Sequence, residues 1–113
     1  MDVSPEQFER MAKATLVAYG TRLGPSLHLT MEPGPAEDQL TFLLKRQATP
    51  SSETYGAAGV VSNAGVDADG VEPFQQVLDH LLALNEKDAL PPLTQDEAPR
   101  VVCEYTGGGF RAL

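Results

Sequence analysis

The residues of this chain that could do chemistry are few. Cys103 is its single cysteine. It shares the apolar phase of its segment with Val101 and Tyr105, and free cysteine is among the most buried residue types. A reactive thiolate needs a nearby cation or a helix N-terminus, and no local signature pairs Cys103 with His28 or His80. It is therefore expected to be structural. The two histidines lack the HExxH spacing of a zinc site. His28 and Glu32 would share a strand face about 13 Å apart at roughly 3.3 Å per residue, too far for one ion. The segment Asp67-Ala68-Asp69-Gly70 imitates the middle of a calcium loop. With Gly70 at the loop's glycine position, the ligand positions at its two ends fall on Gly65 and Gln76, neither of which carries the required carboxylate. No metal site and no cofactor are expected.

Residues 60–66 (Val-Val-Ser-Asn-Ala-Gly-Val) resemble the Asn-Ala-Gly strand end of short-chain dehydrogenases. The chain has no G-x-G-x-x-G fingerprint and no Tyr-x-x-x-Lys pair, and 113 residues are too few for that fold. The likeness is dismissed. Gly107-Gly108-Gly109 is followed by neither Lys-Ser/Thr nor a helix, so it does not cradle phosphate. The paired carboxylates Asp67/Asp69 and Asp96/Glu97 lie in polar stretches without the burial that shifts a catalytic pKa.

The elements that must position these residues can be read from periodicity. Ser4, Pro5 and Gln7 form an N-cap, an N1 proline and a capping box, with Val3 and Phe8 spaced as a hydrophobic staple. Phe8, Met11, Ala12, Thr15, Leu16 and Tyr19 then mark one helical stripe, which ends at Gly20 or at Gly24-Pro25. Residues 26–32 and 39–46 alternate with period two around the turn-rich link 33–38, which predicts an antiparallel pair. Residues 47–54 read as a loop, 55–62 as a third strand weakened by its two glycines, and 63–70 as turn chemistry. A second helix over about 71–86 opens either with an Asp69/Glu72 capping box or with Pro73 at N1. It has a wide apolar face with one polar member (Val71, Phe74, Val77, Leu78, Leu81, Leu82, Leu84 and Asn85) and an outer face of Glu72, Gln76, Asp79, Ala83, Glu86 and Lys87. Residues 88–99 are a proline- and acid-rich link. Residues 100–106 form a strand, and 110–113 a short return strand after the glycine run.

The expected fold is α+β and fills residues 1–113 as a single domain. It is a two-layer sandwich, an antiparallel sheet of 3–5 strands with two helices on one face, in the order α-β-β-(β)-α-β-(β). No signal peptide is evident at the N-terminus and no apolar run approaches a membrane span, so a cytoplasmic protein is expected. The absence of Ile, with 13 Ala and Arg exceeding Lys, suggests a GC-rich bacterial genome.

Charge is the feature that points to function. The net charge is −8. Residues 67–97 hold eight carboxylates (Asp67, Asp69, Glu72, Asp79, Glu86, Asp88, Asp96, Glu97) against the single base Lys87. Such a field repels phosphate backbones and anionic lipid, so neither nucleic acid nor membrane is an expected partner. It favours encounter with a basic protein partner. The reading is a small acidic non-catalytic protein-binding domain, with Glu72, Asp79, Glu86, Asp88, Asp96 and Glu97 as contact residues. Its size, charge and element order resemble those of bacterial immunity proteins that cap secreted toxins, and of chaperones of secreted effectors. No motif carries that resemblance and no residue is transferred from it. The alternative reading is a small-molecule-binding or enzymatic α+β domain, with a pocket near His28 built with Thr30, Glu32 and Tyr55. A homodimer through an exposed strand edge is compatible with either, because short sheets leave edges to be managed.

Overall fold

The computed structural model describes residues 3–47, 49, 53–93 and 98–113. Its elements are α1 (Pro5–Gly20), β1 (Leu27–Pro33), β2 (Gln39–Arg46), β3 (Thr54–Ser62), α2 (Asn63–Asp69), α3 (Glu72–Glu86), β4 (Pro92–Leu93), β5 (Val101–Thr106) and β6 (Gly109–Ala112). The fold is α+β: three helices pack on a six-stranded mixed sheet of order β1-β2-β3-β5-β6, with β4 pairing β3 off that path.

Helix α1 begins as its sequence dictates. The Ser4 hydroxyl accepts the Gln7 N–H at 3.1 Å, and the Gln7 side chain accepts the Ser4 N–H at 3.1 Å. Strands β1 and β2 pair antiparallel from Leu27↔Arg46 to Pro33↔Leu40. Gly34, at φ 104°, lies in the turn between them, a conformation glycine adopts without steric cost. Strand β3 completes the meander, antiparallel to β2. Its glycines, which weaken its sequence signal, serve close packing. A Cβ on Gly59 would lie 2.4 Å from Val77 Cγ1 and 2.9 Å from Cys103 Sγ, so only glycine lets α3 approach the strand.

Four expectations need correction. Among the described residues the sheet has six strands rather than 3–5, because the link 88–99 contributes β4, which pairs β3. The sheet is mixed, because β5 runs parallel to β3. A parallel neighbour needs a crossover of a dozen or more residues, and α2 with α3 supplies it. Among the described residues there are three helices, because the turn-like segment 63–70 contains α2. Ser62 caps it by accepting the Gly65 N–H, and long-range bonds hold it: the Asn63 amide donates to Val3 O at 3.0 Å, and Asp67 accepts the Val3 N–H. Finally, α3 is capped by neither Asp69 nor a box with Glu72. Its N-cap is Val71, without a side-chain cap, and a proline occupies its first turn.

All three helices lie on one face of the sheet. Phe42, Leu44, Ala57, Val61, Cys103 and Tyr105 share that face by register and join Phe8, Ala12, Val66, Phe74, Val77 and Leu81 in one core cluster. Phe74 sits at its centre, 5.7 Å from the Phe8 ring and 5.9 Å, edge-on, from Phe42. The opposite face carries His28, Thr30, Glu32, Lys45 and Glu104 and, buried at its centre on β2 and β3, Thr41, Leu43, Ala58 and Val60. Among the described residues, no helix is long and apolar enough to cross a membrane.

Candidate functional site

Helices α1 and α3 run in the same direction. Their N-terminal ends meet where Phe8 stacks on Phe74. Further along, the Tyr19 hydroxyl donates to Asp79 Oδ1 at 2.8 Å. Past the end of α1, Arg22 and Leu23 come level with the last turn of α3. There Arg22, Leu23, Leu27, Asp79, Leu82, Ala83, Asn85 and Glu86 line a cleft of about 420 Å³. Its apolar wall comes from Leu23, Leu27, Leu82 and Ala83, and Asp79 and Glu86 bring carboxylates to it.

The cleft lies at the negative ends of two helix dipoles, and neither α1 nor α3 has a basic residue in its last turn. Three cations stand nearby: Arg22 lines the cleft, Lys87 is the C-cap of α3 next to Glu86, and Arg46 is engaged with Asn85 and Asp88. Arg46 donates to Asn85 Oδ1 at 3.0 Å and to Asp88 Oδ1 at 2.7 Å, and it lies over the Tyr55 ring. The Arg22 guanidinium lies 5.1 Å over the Tyr19 ring. Glu86 has no hydrogen-bond or ion-pair partner among the described residues. Burial, and then the bond to Asp79, push the Tyr19 phenol up to about 12, so at neutral pH it remains a donor to that carboxylate.

The six expected contact residues are thus divided. Glu72, Asp79 and Glu86 follow one another at seven-residue spacing along α3. That spacing drifts only about 20° per heptad, so they share one face over about 21 Å at 1.5 Å per residue. Glu72 bonds the Gln76 amide at 3.0 Å, one turn on, outside the cleft. Asp88 lies beyond the helix at φ 55° and is paired with Arg46. Asp96 and Glu97 lie outside the described residues. The structure therefore brings Asp79 and Glu86 together at one cleft, and it adds Arg22, Leu23, Leu27 and Asn85, which were not expected there. One signal did exist: Leu82, on the apolar phase of α3, is only half-buried and lines the cleft.

The other chemistry-bearing residues have packing roles. Cys103 is fully buried, and burial pushes its thiol up to about 12, which leaves no thiolate at neutral pH. His80 lies against Phe110, ring centroids 5.4 Å apart. Asp69 accepts the Tyr105 hydroxyl at 2.6 Å; this bond, then burial, push that phenol up to about 12. Gly65 lets α2 pack on the same ring, since a Cβ there would lie 2.8 Å from Tyr105 Cδ1. No group of three or more potential metal ligands occurs among the described residues. His28, Thr30 and Glu32 sit exposed on the open face of the sheet, and Tyr55 is on the helical face, bonded to Glu53 at 2.8 Å. The sheet separates these residues, so they do not converge on a pocket.

No family model matches the chain, and no curated protein or solved structure matches it significantly.

Proposed function

We infer that this chain is a non-catalytic protein-binding domain that takes basic side chains of a protein partner into the cleft between the ends of α1 and α3. The observation that supports this most is Glu86. A carboxylate in the last turn of a helix opposes the dipole, at a cost of about 0.3–1 kcal/mol. Here a second parallel helix ends beside it, Asp79 stands two turns back, and nothing among the described residues pairs with it. Residues that break a local stability rule concentrate at functional positions. An arginine or lysine from a partner would relieve the conflict. Its aliphatic stem would lie on Leu82 and Ala83 while its charged head met Asp79 and Glu86. Immunity to a secreted toxin, or chaperoning of a secreted effector, is the finer form of this reading, supported by size and charge. A cytoplasmic bacterial setting belongs with it.

The test is a titration of the ¹⁵N-labelled chain with an oligo-arginine peptide at low salt. Amide shifts should concentrate at residues 22–23 and 79–86 and fade as the salt approaches about 0.15 M, where exposed charges are screened beyond about 8 Å. Shifts spread equally over Glu6, Glu9, Glu37 and Asp38 would reduce the interaction to net charge and refute the cleft.

A further inference from the structure

The sheet has two edges, and they are built differently. Strand β6 is short, carries Arg111 and begins at Gly109, which has φ 99°. Short length and charge are common guards against edge pairing. Strand β1 is seven residues long, pairs with β2 in unbroken register, and has no lysine, proline or bulge between Leu27 and Met31. Among the described residues its only neighbour is β2.

The hydrogen-bond phase of β1 follows from the two ends of its ladder. The Gln47 N–H donates to Ser26 O at 2.9 Å, and the Gly34 N–H donates to Gln39 O at 3.1 Å. Bonded pairs alternate along an antiparallel ladder, so the even-numbered residues of β1 bond β2. The N–H and C=O groups of Leu29 and Met31 therefore point away from the sheet. The Leu27 N–H points the same way and is already taken by Gly24 O at 3.2 Å. The side chains of Leu27, Leu29 and Met31 are only half-buried at the rim of the core.

We propose that β1 is a self-association edge, and that a second copy of this chain pairs with it antiparallel about a two-fold axis at Thr30. In that register Leu29 faces Met31 of the other copy, and each pair exchanges both N–H···O bonds. Leu29 and Met31 would cover each other's exposed flanks on the helical face. On the open face Thr30 would meet its own symmetry mate, and His28 would meet the other copy's Glu32. Thr–Thr pairs across strands are favourable, an imidazole N–H can donate to a carboxylate, and a two-fold axis repeats each contact. Moving the axis one residue either way sets Met31 against Leu27, whose N–H is used, or Leu29 against Pro33, which has none. It also separates His28 from Glu32. The edge is thus self-complementary in one register, and of the β1 residues only Leu27 also lines the acidic cleft.

Sedimentation velocity of the full chain across concentrations up to the millimolar range tests this. A monomer–dimer equilibrium is expected. Thr30 is exposed, so Thr30→Lys should keep its fold by circular dichroism and weaken the dimer about tenfold or more by opposing two lysines. His28→Glu should weaken it roughly tenfold, and adding Glu32→Lys should restore it. Thr30→Cys should form a disulfide-linked dimer faster than Glu37→Cys, because facing residues in a non-bonded pair lie about 4.5 Å apart. A monomer throughout, with Thr30→Cys crosslinking no faster than Glu37→Cys, overturns the proposal. So does a dimer that Thr30→Lys leaves intact.

Discussion

The carboxylates at the two ends of α3 have different roles. Before and at its N-terminus, the acids are engaged internally. Asp67 takes the Val3 N–H, Asp69 the Tyr105 hydroxyl and Glu72 the Gln76 amide. Asp69 and Glu72 also stand near the positive end of the dipole, where anions stabilise. At the C-terminal end the balance reverses. Asp79 is bonded to Tyr19 but stands at a cleft, and Glu86, at the negative end of two helices, has no partner among the described residues. One composition, a run of acids, therefore covers two physics: structural acids at one end and electrostatic conflict at the other. A binding role is assigned only where the conflict is.

Both ends depend on one buried stripe, so the largest effect should come from removing it. Phe74→Ala should lower the unfolding free energy by about 3–5 kcal/mol, measured by urea denaturation. A loss below about 1 kcal/mol would mean that α3 is not held as described, and the comparison would fall with it.

The next effect is alkaline. In the folded chain Cys103, Tyr19 and Tyr105 keep their protons up to about 12, against ordinary values of 9.0 and 10.0. Once the unfolded chain binds fewer protons than the folded one, stability falls with rising pH. Thermal stability should therefore be independent of the titration of these groups below about pH 9, where their contribution is fully present, and should decline from about pH 9 to 12. Cys103→Ala should delay the start of the decline to about pH 10. A decline whose onset does not move would contradict the buried thiol.

The sharpest form of the comparison is a difference of sign. Asp69→Ala should cost about 1 kcal/mol and let the Tyr105 phenol titrate closer to its ordinary value, readable by ultraviolet absorbance. Glu86→Gln should add a few tenths of a kcal/mol. Equal losses at both positions would erase the distinction between the two ends.

Much of the scaffold was legible because its signals are local. The capping box of Ser4 and Gln7 and the alternation of β1 and β2 depend on neighbours in sequence. Helix α2 was not legible, because Asn63, Gly65, Asp67 and Asp69 read as turn chemistry. They become helical through distant partners: Val3 and Tyr105. The parallel pairing of β3 and β5 was hidden for a related reason. Parallel strands are usually buried on both faces and read as continuous apolar runs, whereas Val101–Thr106 alternates because one face of this sheet carries no helix. At the candidate site, the charge count identified Asp79 and Glu86. It did not reveal the cleft, because Arg22, Leu23 and Leu27 reach it only through the way α1 lies beside α3.

The proposed binding site requires that position, not total charge, draws basic side chains to the acidic cleft. The direct measurement is the association of a fluorescent oligo-arginine peptide with three chains at low salt: the native chain, Asp79→Lys/Glu86→Lys, and Glu37→Lys/Asp38→Lys, whose net charge changes equally. The cleft variant should lose affinity by about tenfold or more while the charge-matched control stays within about twofold of the native chain. Equal losses in the two variants would show that the peptide senses only the overall field, and the cleft would have no part in recognition.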